Sequence, residues 1–142
     1  MSRSIVKLAA AAAVLVAMTV SADAGVDVHI DKSTQRMYVA VDGVTRYVWA
    51  VSTGASGYDT PGGSFRPFRM ERDHFSREWD NAPMPYSIFY RGGYAIHGTY
   101  NINRLGSPAS HGCVRLHISN ARELFSLVQE FGKDATQIVI YP

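Results

Sequence analysis

Only one of the 142 residues, Cys113, is a cysteine, which excludes an intramolecular disulfide framework. Neither Cys-x-x-Cys nor His-Glu-x-x-His occurs, so the usual sequence signatures of structural and catalytic zinc are missing. Charge is sparse at 18% of residues, and no run of Lys or Arg forms the basic stripe that nucleic acid requires. There are no internal repeats and, after the first two dozen residues, no low-complexity tract. Long apolar runs are limited to residues 8–20, which fall short of the about 20 residues of a membrane span. Arg3 and Lys7 precede this run, and Ala22-Asp23-Ala24 follows it as an A-x-A cleavage site. Residues 1–24 therefore read as a secretory leader removed after Ala24, with no cysteine behind the run to accept a lipid. Without Arg3, Lys7 and Asp23, 12 basic and 11 acidic residues remain, a net charge of +1. Residues 25–142 are predicted to form one exported domain, of a size to hold a single core.

What is present is mostly strand-like. Residues 26–30 and 35–41 read as short strands, and Asp42-Gly43 is a two-residue hairpin signal leading into a returning strand over residues 44–52. Residues 53–63 are too polar and glycine-rich to be core and read as a loop. Residues 65–70, 87–90 and 94–97 are further strand candidates, with an irregular, charged stretch over 71–85. A long loop over 98–111 precedes the cysteine, and loops of that length in a compact domain usually carry function. One segment has helical periodicity: Ala121, Leu124, Phe125, Leu127, Val128 and Phe131 share a stripe. Ser119 or Asn120 is its expected N-cap, Glu123 completes a capping box, and Gly132 marks its end. Residues 136–141 form a terminal strand. The expected fold is mainly β, a barrel or sandwich with one main helix near the C-terminus.

An unpaired thiol in an exported chain is a chemically exposed group. The bland alternative, an inert buried cysteine packing as a small hydrophobe, fits the neighbours poorly. Strand alternation sends Val114 and Leu116 to one face and Cys113 and Arg115 to the other. The thiol then lies beside a guanidinium, which favours thiolate, and Gly112 permits a sharp turn just before it. His97, 16 residues upstream at the end of a predicted strand, is a candidate base, because an imidazole in reach can take a thiol proton to give a thiolate–imidazolium pair. His111 competes for that role, and sequence spacing leaves the choice open. His29 and His74 read as surface or packing residues, and His117 falls on the cysteine face only if the strand continues. His97, His111, Cys113 and His117 could in principle hold zinc, but their spacing matches no common pattern, so the reading is no metal and no cofactor.

His97-Gly98-Thr99 followed by Leu105-Gly106-Ser107-Pro108-Ala109-Ser110-His111-Gly112-Cys113-Val114-Arg115-Leu116 closely resembles the signature of the YkuD-type L,D-transpeptidases of bacterial cell walls. Val51-Ser52-Thr53-Gly54, Thr60-Pro61-Gly62-Gly63-Ser64-Phe65, Met84-Pro85-Tyr86 and Ala95-Ile96-His97-Gly98 are similar to family blocks in the same order. The resemblance implies a periplasmic, cell-wall enzyme whose cysteine attacks the L,D bond of a peptidoglycan stem tetrapeptide. D-Ala is released, and an amine resolves the thioester. On that reading Cys113 is the nucleophile and His97 the base, with the Gly98 carbonyl holding the imidazole tautomer. His111, Gly112 and Cys113 supply backbone N–H groups to an oxyanion hole, Tyr86 adds its hydroxyl, Arg115 meets a substrate carboxylate, and Ser110 supports the loop. The partners implied are stem peptides, with a second stem peptide, an outer-membrane protein amine, a free D-amino acid or water as acceptor. Two alternatives use other outcomes: an L,D-carboxypeptidase in which water resolves the same acyl-enzyme, and a non-catalytic wall-binding protein. Residues 71–80 match no family block and read as an insertion or a substrate lid.

Overall fold

The computed structural model describes residues 24–142, together with Ala12 and Ala13. The expected leader therefore lies, but for those alanines, outside the described residues. In chain order the elements are β1 (Val26–Asp31), β2 (Arg36–Val41), β3 (Val44–Ser52), β4 (Gly63–Phe65), β5 (Arg69–Phe75), β6 (Pro83–Arg91), β7 (Tyr94–Thr99), β8 (Val114–His117), α1 (Ile118–Phe131) and β9 (Thr136–Tyr141). Short 3-10 turns occupy Ile102–Arg104 and Lys133–Ala135. All nine strands join one curled sheet, ordered β4-β9-β1-β2-β3-β8-β7-β6-β5. The fold is mainly β with one main helix, as expected. Among the described residues no helix is long and apolar enough to cross a membrane.

The β2–β3 hairpin forms where the Asp-Gly signal puts it. Asp42 and Gly43 have φ of 51° and 80°, and Val41 pairs with Val44 across the turn. Positive φ at both central residues gives the turn whose twist suits a hairpin. β3 pairs with β2 along its length, while its last two residues, Val51 and Ser52, pair with Leu116 and Arg115 of β8. One strand thus belongs to both halves of the sheet.

α1 fills the concave side. Ala121, Leu124, Phe125, Leu127 and Val128 are buried, and they join Val28, Ile30, Met37, Val39, Ile88, Ile96, Val114 and Leu116 in one apolar core. At Gly98 strand β7 approaches the helix so closely that a Cβ would lie 3.2 Å from the Ile118 Cα. Gly132 ends the helix with φ 93° and its N–H bonded to the Val128 carbonyl, as the sequence indicates.

Three sequence expectations fail. The helix is capped not by Ser119 or Asn120 but by His117, whose Nδ1 accepts the Ser119 N–H at 3.2 Å, and Glu123 accepts the Tyr47 hydroxyl instead of closing a capping box. The strand expected over 65–70 is cut in two, because β4 ends at Phe65 and Pro67, which has no N–H, interrupts pairing until Arg69. The stretch over 71–85 is not irregular: β5 and β6 pair from Arg69–Phe89 to Phe75–Pro83. β5 is the edge of the sheet, and its Arg, Glu and Asp residues suit an exposed edge, so its polarity hid a strand. Leu124 is fully buried at the centre of the helix contact. Leu124→Ala is expected to cost about 2–5 kcal/mol, read as a lower urea midpoint with an unchanged m-value.

Candidate active site

β7 and β8 are parallel neighbours, with Ile96 opposite Val114 and His97 opposite Arg115. Strand alternation then assigns the two faces. Ile96, Val114 and Leu116 point into the core, and Ala95, His97, Cys113 and Arg115 lie on the other side. Cys113 stands immediately before β8 rather than within it. A cavity of about 400 Å³ opens on this face, lined by Cys113, His97, Arg115, Ser110, His111 and Tyr94. Its further wall comes from the β5–β6 hairpin, through Glu78, Trp79 and Asp80. Met84, Phe89 and Ala95 form a small apolar floor against which Cys113 packs.

His97 is only 6% exposed. Its Nδ1 lies 2.7 Å from the Gly98 carbonyl oxygen. Because a carbonyl only accepts, Nδ1 carries the proton and Nε2 keeps its lone pair. Burial pulls the imidazole down from 6.5 to about 4, with the Gly98 hydrogen bond opposing and the Arg115 and His74 charges adding to the shift. The ring is neutral at pH 7. For Cys113 burial pushes the thiol up, against the Ala95 N–H and Arg115, which stabilise the thiolate, while Glu78 adds to the rise. The expected lowering by Arg115 is present but smaller than the cost of desolvation, so burial shifts both the thiol and the imidazole toward their uncharged forms.

The turn before the thiol is tied down in detail. Ser110 is buried, and its hydroxyl donates to the Cys113 carbonyl at 2.5 Å and accepts the Gly112 N–H at 3.0 Å. The Gly112 N–H, one of the three expected oxyanion donors, is therefore directed at Ser110. Gly112 has φ 123°, and a Cβ there would sit 2.6 Å from Tyr94 Cε1, so only glycine fits. Thr60 Oγ1 donates to the Gly112 carbonyl at 2.9 Å and accepts the Gly54 N–H at 2.8 Å. The Thr53 carbonyl accepts the N–H groups of Ala109 and Ser110. Thr53 is itself fixed by Gln35, whose buried amide accepts the Thr53 N–H at 2.9 Å and donates to the Thr53 hydroxyl at 2.7 Å and the Lys32 carbonyl at 2.8 Å. Sequence reading missed Gln35, Thr53 and Thr60 as supports. The family-like blocks around Thr53 and Thr60 were the only hints, and none pointed to Gln35.

Arg115 is half-buried in the cavity wall, with Nη1 3.5 Å from the Ala109 carbonyl. His111 is exposed and stacks on Trp79. Tyr86, expected to add its hydroxyl to the oxyanion hole, has a half-buried ring 5.6 Å from Phe125, packed against the core. It is not among the cavity-lining residues. Tyr86 has φ 57° in the middle of β6, where a kinked backbone departs from simple alternation. Of the Phe, Tyr and Trp residues, Tyr94 and Trp79 line the cavity. His74 packs edge-on against Phe89 at 5.0 Å, and His117 caps the helix. Among the described residues no group of three or more His, Cys, Asp or Glu side chains is arranged to hold a metal ion.

A thiol and a neutral imidazole sharing one cavity on the open face of a mainly β sheet define a cysteine–histidine class of site. Residues 25–140 match the YkuD family, the L,D-transpeptidase catalytic domain, and the chain belongs to that family. Similar solved structures include an L,D-transpeptidase from Stackebrandtia nassauensis, 28% identical with a TM-score of 0.73 over 86% of this chain and 58% of that one. An L,D-transpeptidase from Mycobacterium smegmatis is 20% identical with a TM-score of 0.74, over 84% of this chain and 59% of that one. L,D-transpeptidase 3 from Mycobacterium tuberculosis, solved with a faropenem-derived adduct, is 19% identical with a TM-score of 0.71, over 83% and 60% respectively. The chain thus spans about six-tenths of the length of these relatives. A search of curated proteins found no match.

The His97 shift fixes a sign for stability against pH. Its folded value of about 4 lies below the ordinary 6.5, so the unfolded chain takes up the proton first as pH falls. The stability this contributes is complete above pH 6.5 and is lost progressively down to about 4. Urea midpoints measured across that window should fall more steeply for the unaltered protein than for His97→Gln, and equal slopes would contradict the assignment.

Proposed function

We propose that this domain is a cysteine-dependent L,D-transpeptidase acting on peptidoglycan stem tetrapeptides in the cell envelope. The observation that carries the reading is that Cys113 shares one cavity with a His97 whose Nδ1–H is held by the Gly98 carbonyl, which leaves Nε2 free to accept a proton. As Cys113 Sγ attacks the carbonyl of the L,D bond, its proton passes to His97 Nε2. His97 then gives that proton to the departing D-Ala amine, and a thioester remains at the meso-diaminopimelate carbonyl. An acceptor amine attacks the thioester and restores the thiol. The oxyanion formed in each half meets the backbone N–H groups of His111 and Cys113, and loss of one such donor typically costs about 10² to 10³ in rate. Arg115, in the cavity wall beside His97, meets a substrate carboxylate, and Ser110 holds the turn.

A thiol raised by burial stays protonated until a substrate is in place. Protonated thiols resist oxidation, which suits a lone cysteine exported into an oxidising compartment.

The nucleophile is tested by intact-protein mass after incubation with faropenem or a carbapenem. The unaltered domain should gain one adduct mass and Cys113→Ala none, and an adduct on the variant would end the assignment. Because burial pushes the thiol above its ordinary 9.0, the rate of iodoacetamide alkylation of Cys113 should rise with pH to a midpoint above that value. A plateau between pH 5 and 7 would reveal a resting ion pair instead. Incubation with tetrapeptide-rich sacculi separates outcomes: dimers linked between two diaminopimelates report transpeptidation, and tripeptide monomers alone report hydrolysis.

A further inference from the structure

The hairpin that resembles nothing in the family's sequence blocks reaches across the cavity to the cysteine turn. At its tip Asp80 and Asn81 have φ of 51° and 53°, and the Ala82 N–H bonds the Trp79 carbonyl at 2.9 Å, so the tip is a tight two-residue turn. The Ser76 N–H bonds the Ala82 carbonyl at 2.9 Å, and the Ser76 hydroxyl accepts the Trp79 N–H at 3.2 Å. Trp79 therefore projects from a fixed backbone, yet it remains 39% exposed. Its indole lies flat on the His111 imidazole, with centroids 3.9 Å apart and planes within 9°. Tyr58, from the loop after β3, stands edge-on to both, at 4.8 Å from His111 and 5.9 Å from Trp79. Three segments far apart in sequence thus meet on the side chain of one residue, and that residue carries a backbone N–H assigned above to the oxyanion.

We infer that Trp79 is a positioning residue for acyl transfer, acting through His111: the stacked indole fixes the imidazole and with it the backbone of residues 110–113, so that the oxyanion donors are aimed before the substrate arrives. Preorganised donors are effective because they need no rearrangement during the reaction. The Ser110, Thr53 and Thr60 hydrogen bonds hold the turn from below, while nothing but the Tyr58–Trp79–His111 cluster is seen to hold the His111 side chain from the cavity side among the described residues. Aromatic pairs of this kind contribute modestly beyond the area they bury, and a fixed donor converts that contribution into rate.

The inference rests on the transpeptidase reading, and its test uses two electrophiles that differ in one respect. Acylation by faropenem or a carbapenem develops an oxyanion, whereas alkylation by iodoacetamide does not. Trp79→Leu keeps apolar bulk but loses the flat stack, and Trp79→Phe retains an aromatic face. The first-order acylation constant should drop about 10-fold or more in Trp79→Leu, in line with partial loss of one oxyanion donor. Iodoacetamide alkylation should stay within about twofold of the unaltered domain or rise, and Trp79→Phe should recover most of the acylation rate. Fluorescence supplies the spectroscopic arm. In a Trp49→Phe background, where Trp79 is the only tryptophan, removing the stacked ring with His111→Ala should change its emission intensity, and no change would overturn the stack. Acylation at the normal rate in Trp79→Leu overturns the positioning role, and so does an equal loss of acylation and alkylation in both variants. If the unaltered domain itself forms no adduct, the transpeptidase reading fails first, and the role of Trp79 fails with it.

Discussion

The parallel pairing of β7 with β8 is the constraint on which the site depends. Parallel neighbours cannot be joined by a tight turn and need a crossover of a dozen or more residues. Here the crossover is the segment between Thr99 and Val114, which carries a 3-10 turn and the cysteine turn instead of a helix. Pairing Ile96 with Val114 commits one face of both strands to the core under α1. The opposite face then carries Ala95, His97, Cys113 and Arg115 together. A one-residue slip would exchange the faces, burying Arg115 and Cys113 beneath the helix, so the apolar packing of Ile96, Val114 and Leu116 also keeps the register of His97 and Cys113.

Charge and burial compete at the thiol, and burial wins. Arg115 and the Ala95 N–H both favour the thiolate, yet the apolar floor of Met84, Phe89 and Ala95 removes enough water for the thiol to be raised. The same removal of water lowers His97 and keeps it a neutral acceptor. The two shifts work in one direction, toward an uncharged thiol and an uncharged imidazole; in the proposed mechanism the proton moves when a substrate carbonyl is there to take up the negative charge. The proposed mechanism follows from that order of events.

The cysteine turn is held by residues from both halves of the sheet. Gln35, Thr53 and Thr60 come from the other half of the sheet, yet the Thr53 carbonyl, itself fixed by the Gln35 amide, and the Thr60 hydroxyl set the positions of Ala109, Ser110 and Gly112. From the other side the β5–β6 hairpin brings Trp79 onto His111. Because β3 is shared by the two halves, the curl of the sheet brings these supports to one place.

The sequence alone determined whatever depends on neighbours along the chain. The Asp42-Gly43 hairpin, the helical stripe with its glycine stop, the terminal strand and the facing of Cys113 with Arg115 were all legible, since turn chemistry and periodicity act over a few residues. His97 was a candidate from its spacing, and the family signature added Gly98 and Ser110; the structure puts His97 and Ser110 in one cavity with Cys113 and the Gly98 carbonyl on His97 Nδ1. Tertiary structure decided the rest. The polar β5 became a strand only because β6 was there to pair with it, and His117 displaced Ser119 as cap once β8 had fixed where the helix begins. The ring of Tyr86 meets Phe125 of the core, a neighbour far along the chain that no local pattern reveals. The protonation state of the site was decided there too, because desolvation is set by atoms from distant strands, and no reading of Arg115 beside Cys113 contains them.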